Sequence, residues 1–218
     1  MSNGQSKGVS KPAQKTATKR GSKGAAEPRV SKPLLIGAGL IFALAFAGFV
    51  AFTGNSPPPA PSAIGGPFQL TAQDGRQTSD KDFLGRPFLV FFGYTHCPDI
   101  CHTTLFEMSE ILRALGPAAK IGALFVTVDP ERDTPAVLKD YLSNFDPRIV
   151  GLTGPREALD PVLKAYRIYA KRAPGGDSDY AVDHTTVVYL MDKNGRFVNA
   201  FNVARPPAEA ARELERYL

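Results

Sequence analysis

Apolar and polar positions divide the chain into blocks of distinct period. Leu34 to Phe52 is a run of 19 residues without a charge, long enough to span a bilayer as a helix. Phe68-Gln69-Leu70-Thr71 alternates as a short strand does, and Asp74-Gly75 marks the turn behind it. Ser79 to Leu84 has the pattern of a capped helical turn ending at Gly85. Residues 87–92 are an apolar β run that breaks at Gly93. Behind it, Pro98 at a first helical position predicts a helix over 98–115, with Cys97 as its cap. Leu105, Met108, Ile111, Leu112 and Leu115 form one apolar stripe on that helix, which is core packing. Residues 121–128 are almost continuously apolar, as a strand buried on both faces would be.

Thr134-Pro135 caps and opens a predicted helix over 135–144. A short strand follows over 149–152, and Pro155 opens a helix with Leu159, Val162, Leu163 and Tyr166 on one face. Residues 167–182 hold a loop or hairpin tip at Ala173 to Asp177. A strand over 185–191, a turn at Asp192 to Gly195, a strand over 196–201 and a helix over 206–218 complete the pattern. Strands that alternate with helices and end in a hairpin argue for an α/β sandwich with a mixed sheet flanked by helices.

Charge changes the picture at the N-terminal end. Residues 1–33 hold eight Lys/Arg against one acid, Glu27, and almost no large apolar side chain, so they are expected to be disordered. The other 18 basic and 20 acidic side chains leave the remainder at −2. The basic balance therefore belongs to the tail, and it supplies no basic face for nucleic acid. Basic residues ahead of Leu34–Phe52 place that side in the cytoplasm and the rest of the chain outside. A cleaved signal peptide has a shorter apolar core, about 7–15 residues, and a mitochondrial transit peptide prefers arginine where this tail has lysine. No cysteine lies just after the apolar run to carry a lipid. The expected organisation is a cytoplasmic tail (1–33), a transmembrane anchor (34–52), a Pro-rich linker (53–65) and one folded domain (66–218). The lysine-rich tail favours a bacterial inner membrane with the domain in the periplasm; the alternative is the mitochondrial inner membrane.

The chemistry concentrates in Cys97 and Cys101, the two cysteines of the protein. Four residues apart on a helix, their Cβ atoms would stand roughly 5–6 Å apart. A disulfide prefers about 3.5–4.5 Å, so bridging requires a distorted first turn, and the same spacing suits a soft metal held between the sulfurs. The positive end of a helix favours thiolate, the form needed for redox exchange or metal ligation. A purely structural bridge explains the pair poorly, because so short a loop removes little chain entropy.

Three separated motifs complete the reading: Gly93-Tyr94-Thr95-His96-Cys97-Pro98-Asp99-Ile100-Cys101, Val128-Asp129-Pro130-Glu131-Arg132-Asp133-Thr134, and Tyr180-Ala181-Val182-Asp183-His184-Thr185. Together they resemble the Sco/SenC family of membrane-anchored, thioredoxin-like copper proteins, over about residues 64–218. His102 departs from the family pattern, which usually has Pro after the second cysteine. The resemblance implies a thioredoxin-like fold and copper bound by Cys97, Cys101 and His184. Two thiolates and an imidazole select Cu(I), with Cu(II) left open. It also implies a copper donor protein upstream and, as recipient, the binuclear copper site of cytochrome c oxidase subunit II.

Alternatives stand beside this expectation. The same cysteines suit a thiol–disulfide oxidoreductase that reduces the recipient's cysteines, which needs no His184. A peroxidase is weaker, because no peroxide pocket is visible in the sequence. Zinc wants a fourth ligand, for which His96 and His102 are available, although both are expected at the rim of the site. Asp99 reads as a first-turn acid. Asp129 is either functional, at the end of a central strand, or only a turn former.

Overall fold

The computed structural model describes residues 44–49, 64–174 and 180–218. Residues 44–49 are helical and exposed. Among the described residues no helix is long and apolar enough to cross a membrane. Apart from 44–49, the expected span 34–52 lies outside them, as do the tail 1–33 and most of the linker.

The domain is built on two strands whose residues are all buried, β3 (Phe88–Gly93) and β4 (Gly122–Thr127). They pair in parallel, Phe88 against Gly122 through Gly93 against Thr127. A parallel pair needs a crossover, and α1 (Ile100–Leu115) supplies it. From β4 the chain crosses through α2 (Pro135–Leu142) to β5 (Ile149–Thr153), again parallel. Both crossovers step the same way across the sheet, so right-handed connection puts α1 and α2 on one face.

β1 (Gln69–Ala72) and β2 (Gln77–Ser79) extend the β5 side antiparallel. β8 (Val188–Met191) and β9 (Phe197–Ala200) extend the β3 side antiparallel. The seven strands run β2-β1-β5-β4-β3-β8-β9. α3 (Arg156–Ala165) lies against β1, and α4 (Pro207–Glu215) returns against α1. Among the described residues, β6 (Ala170–Arg172) and β7 (Val182–His184) pair only with each other. The core runs through both sheet faces, with Phe91, Phe92, Leu105, Met108, Leu124 and Phe125 fully enclosed. This is the α/β sandwich with a mixed sheet that the pattern predicts.

The capped turn expected after Ser79 is present as a 3-10 turn, Asp80–Phe83, and Gln77–Ser79 ahead of it adds a strand. Two local expectations change. The strand expected over 185–191 starts only at Val188. The cysteine helix begins at Ile100, not Pro98. The chain turns first, with the Cys97 amide donating to the Tyr94 carbonyl at 3.3 Å, so Cys97 sits in a turn and Asp99 occupies the cap position.

Candidate metal centre

Strand register brings three distant segments to one end of the sheet. β3 and β4 end side by side, and the ladder continues one step further, where the Val128 amide donates to the Gly93 carbonyl at 2.8 Å. The Cys97 turn therefore lies beside the loop that starts at Asp129. β8 runs antiparallel with Val188 opposite Phe91, so the residues before Val188 reach the same end. One ligand atom from each of Cys97, Cys101 and His184 falls within 4.8 Å of the others. Neither cysteine is bridged; Cys97 is half-buried and Cys101 buried.

His184 is set for ligation. Its Nδ1 lies 3.0 Å from the Thr185 carbonyl. A carbonyl only accepts, so Nδ1 carries the proton and Nε2 keeps its lone pair. Nε2 faces the Cys101 sulfur at 3.5 Å. Burial lowers the imidazole pKa, outweighing the Thr185 bond, which favours the neutral ring a metal needs. The Cys101 thiol moves the other way from the helix-terminus expectation: burial, then its hydrogen bond with Cys97, raises its pKa. Desolvation outweighs the helix end here, and a bound cation is what would stabilise its thiolate.

Gly93 makes room for that sulfur. A Cβ on Gly93 would stand 2.8 Å from Cys101 Sγ and 2.7 Å from Phe125 Cε2.

Two buried acids of the 128–134 motif fasten the ligand-bearing segments. Asp133 accepts from Thr127 Oγ1 at 2.6 Å, from Thr95 Oγ1 at 2.6 Å and from the Thr95 amide at 3.1 Å. It ties the cysteine turn to the end of β4. Burial raises its carboxyl pKa, and these bonds counter the rise. Asp129 accepts from the Tyr180 hydroxyl at 2.7 Å and pairs with Arg132. Arg132 also donates to the Tyr180 carbonyl at 2.9 Å and stacks 3.7 Å over its ring, while Arg172 lies 3.7 Å from that ring too. The Tyr94 hydroxyl accepts the Val182 amide at 3.1 Å, and its ring meets His184 edge-on at 5.6 Å. Together these bonds hold β6 and β7, and with them His184.

Asp129 is thus neither an idle turn former nor part of the ligand cluster; it anchors the arm. Sequence reasoning missed the roles of Tyr94, Arg132, Asp133 and Tyr180. Two acids four residues apart behind a fully buried strand, in a chain with few buried charges, were the available signal. His96 is exposed, its Nδ1 3.0 Å from Thr95 Oγ1, and exposed His102 meets the Phe145 ring at 5.1 Å. Among the described residues neither joins the cluster. Asp99 is exposed at the cap and makes no side-chain cap bond.

Residues 56–218 match the family model described as SCO1/SenC. The chain is 41% identical over 159 residues to the mouse protein named SCO1 homolog, mitochondrial, covering 71% of this chain and 56% of that protein. It thus spans little more than half of that relative's length. It is 40% identical over 149 residues to the SCO2-like protein of Rickettsia felis, covering 67% of this chain and 73% of the relative. The solved structure of Bradyrhizobium japonicum ScoI with copper bound matches with a TM-score of 0.70 and 58% identity, covering 72% of this chain and 100% of that one.

Proposed function

The chain belongs to the SCO1/SenC family, and from that premise we propose that it is a membrane-anchored copper chaperone that delivers copper to the binuclear site of cytochrome c oxidase subunit II. Cys97, Cys101 and His184 are the copper ligands. The observation that carries this is the convergence of two thiols and a neutral imidazole within 4.8 Å at one end of the sheet. Soft sulfur donors with one nitrogen suit Cu(I), and the 58%-identical ScoI structure contains copper. Residues 34–52 anchor the chain in a bacterial inner membrane, with 1–33 cytoplasmic and the domain, carried on linker 53–65, in the periplasm. The Rickettsia relatives support the bacterial placement, and the mitochondrial relatives keep the mitochondrial inner membrane as its alternative.

Transfer proceeds by ligand exchange. Half-buried Cys97 is the ligand a recipient thiol or imidazole meets first, buried Cys101 keeps the ion while His184 yields its place, and free copper never forms. A copper donor protein loads the site by the reverse sequence.

One observation favours a second function on the same residues. Cys97 and Cys101 are both unbridged, with their sulfurs within 4.8 Å of each other, as a dithiol reductase of the recipient's cysteines requires, with half-buried Cys97 as the attacking sulfur. An anaerobic Cu(I) titration of the reduced protein against a competing chelator, beside His184→Ala, separates the two. One ion per chain, held at least tenfold more weakly in the variant, supports the carrier. Binding indifferent to His184 would sink it and leave the reductase.

A further inference from the structure

Tyr94 touches both halves of the ligand set. Its carbonyl accepts the Cys97 amide at 3.3 Å and so closes the turn that carries the first sulfur. Its hydroxyl accepts the Val182 amide at 3.1 Å, two residues ahead of His184, and its ring meets the imidazole edge-on at 5.6 Å. The Arg132 guanidinium, which donates to the Tyr180 carbonyl, stands 5.7 Å from the centre of the same ring. Tyr94 is only 2% exposed, so packing fixes its rotamer.

Strand geometry gives the hydroxyl its meaning. In the arm, the Thr185 amide donates to the Tyr169 carbonyl and the Ala173 amide to the Ala181 carbonyl, with Lys171 opposite Asp183 midway between. Bonded and non-bonded pairs alternate along an antiparallel ladder. Lys171 and Asp183 are therefore a bonded pair, and the amides of Val182 and His184 point away from β6. The Tyr94 hydroxyl meets that outward edge of β7 at Val182, where a further strand would otherwise pair. Val182 is buried, and a buried amide needs a partner; the cysteine segment supplies it. Val182 and His184 also share one face of β7, so what holds the first holds the second.

We propose that Tyr94 is a positioning residue for the copper site: its hydroxyl latches the arm at Val182, keeps His184 against the cysteine pair, and releases Val182 when His184 yields its place in transfer. This rests on the copper function proposed above. It gives a part in retention and release to a residue that contributes no ligand atom. Removing the hydroxyl leaves the three ligands and the aromatic contact with the imidazole in place. What changes is the ease with which His184 swings away, so copper leaves faster while its uptake is little altered.

Tyr94→Phe tests this, because it removes one oxygen and keeps the ring. The substitution is made in the wild type and in His184→Ala. Cu(I) retention of all four proteins is measured by titration against chelators of graded strength, with the rate of release followed alongside. In the wild-type background, retention should weaken about fivefold, the size of one ordinary hydrogen bond, through faster release. In the His184→Ala background the change should stay within about 1.5-fold, because no imidazole remains to be positioned. A merely structural role would not depend on the imidazole, so an equal loss in both backgrounds overturns the inference. Wild-type retention in Tyr94→Phe alone overturns it as well. Amide exchange of the metal-free variant reads the latch directly: Val182 should exchange faster, with Phe91 and Phe125 unmoved. Acceleration at all three overturns the inference, since the hydroxyl would then be serving the core. A wild-type protein that retains no Cu(I), or a His184→Ala variant that retains it as the wild type does, overturns the copper function itself and this inference with it.

Discussion

Cys97 and Cys101 stand where β3 runs through a turn into α1, whereas His184 stands on the arm of β6 and β7, which shares no ladder with the seven-stranded sheet. The cysteines inherit their positions from the β3–β4 ladder in the core, with Asp133 tying their turn to the end of β4. The histidine is held by side chains: Asp129, Arg132, Tyr180 and Tyr94. Such bonds contribute about 1 kcal/mol each, and an element tied by a few of them opens at lower cost than one laced into a central sheet. The proposed ligand set thus combines a fixed pair with a third member on a separable arm, an arrangement suited to the proposed carrier, which has to let go.

The largest effect is expected on the fixed side. Gly93→Ala puts a methyl carbon 2.8 Å from Cys101 Sγ and 2.7 Å from the Phe125 ring, and both neighbours are wholly enclosed. Overpacking of this kind costs about 1–3 kcal/mol. The urea midpoint should fall accordingly, and Cu(I) retention should fall with it because a ligand sulfur is displaced. An unchanged midpoint would mean that the sheet end and Cys101 yield easily, and the contrast with the arm would fail.

Tyr180→Phe probes the other side. It removes the donor to buried Asp129 and leaves the ring between two guanidinium groups. The cost is about 1–2 kcal/mol and should fall on the arm alone. Amide exchange at Val182 and over 170–172 should accelerate about tenfold, with Phe91 and Phe125 changing far less. Uniform acceleration across both regions would show that the arm and the core open together.

The same division governs what the sequence made legible. β3 and β4 are buried on both faces, so an uninterrupted apolar run announced each of them, and the cysteines announced their own chemistry. Thr134 was legible as a cap because the interaction is local, its Oγ1 accepting from the Val137 amide at 3.3 Å. The helix start was misplaced because a proline signal cannot reveal a turn closed by the Cys97 amide. The arm and its anchor were illegible for a different reason. Asp129 and Tyr180 lie 51 residues apart and meet only through the fold, and three-residue strands carry too little periodicity to be seen. His184 was found through its motif context, since its own surroundings gave no local sign. The protonation of Cys101 went against the helix-terminus argument because burial depends on packing that the local sequence does not contain.

The smallest expected effect lies away from both regions and fixes the baseline for comparing them. Burial tends to raise the Asp146 carboxyl pKa, but bonds from Arg148, at 2.8 Å to each oxygen, prevail and hold it below its ordinary value. A depressed folded pKa means that the unfolded chain binds the proton more readily. The stabilisation is therefore complete above the unfolded value, about 4, and disappears as pH falls through the lower folded value. Asp133, whose pKa is raised, contributes in the opposite sense: its carboxylate becomes a burden as pH rises through its folded value. Asp146→Asn should thus flatten part of the acid limb below about pH 4, by on the order of 1 kcal/mol for a partly exposed pair. Stability of the metal-free protein followed by urea titration between pH 3 and pH 7 measures it. A variant curve that parallels the wild type through the acid limb would show that the pair carries no linkage. If instead the difference persists undiminished below the folded value, asparagine disturbs the site by something other than the loss of charge, such as the lost second acceptor for Arg148.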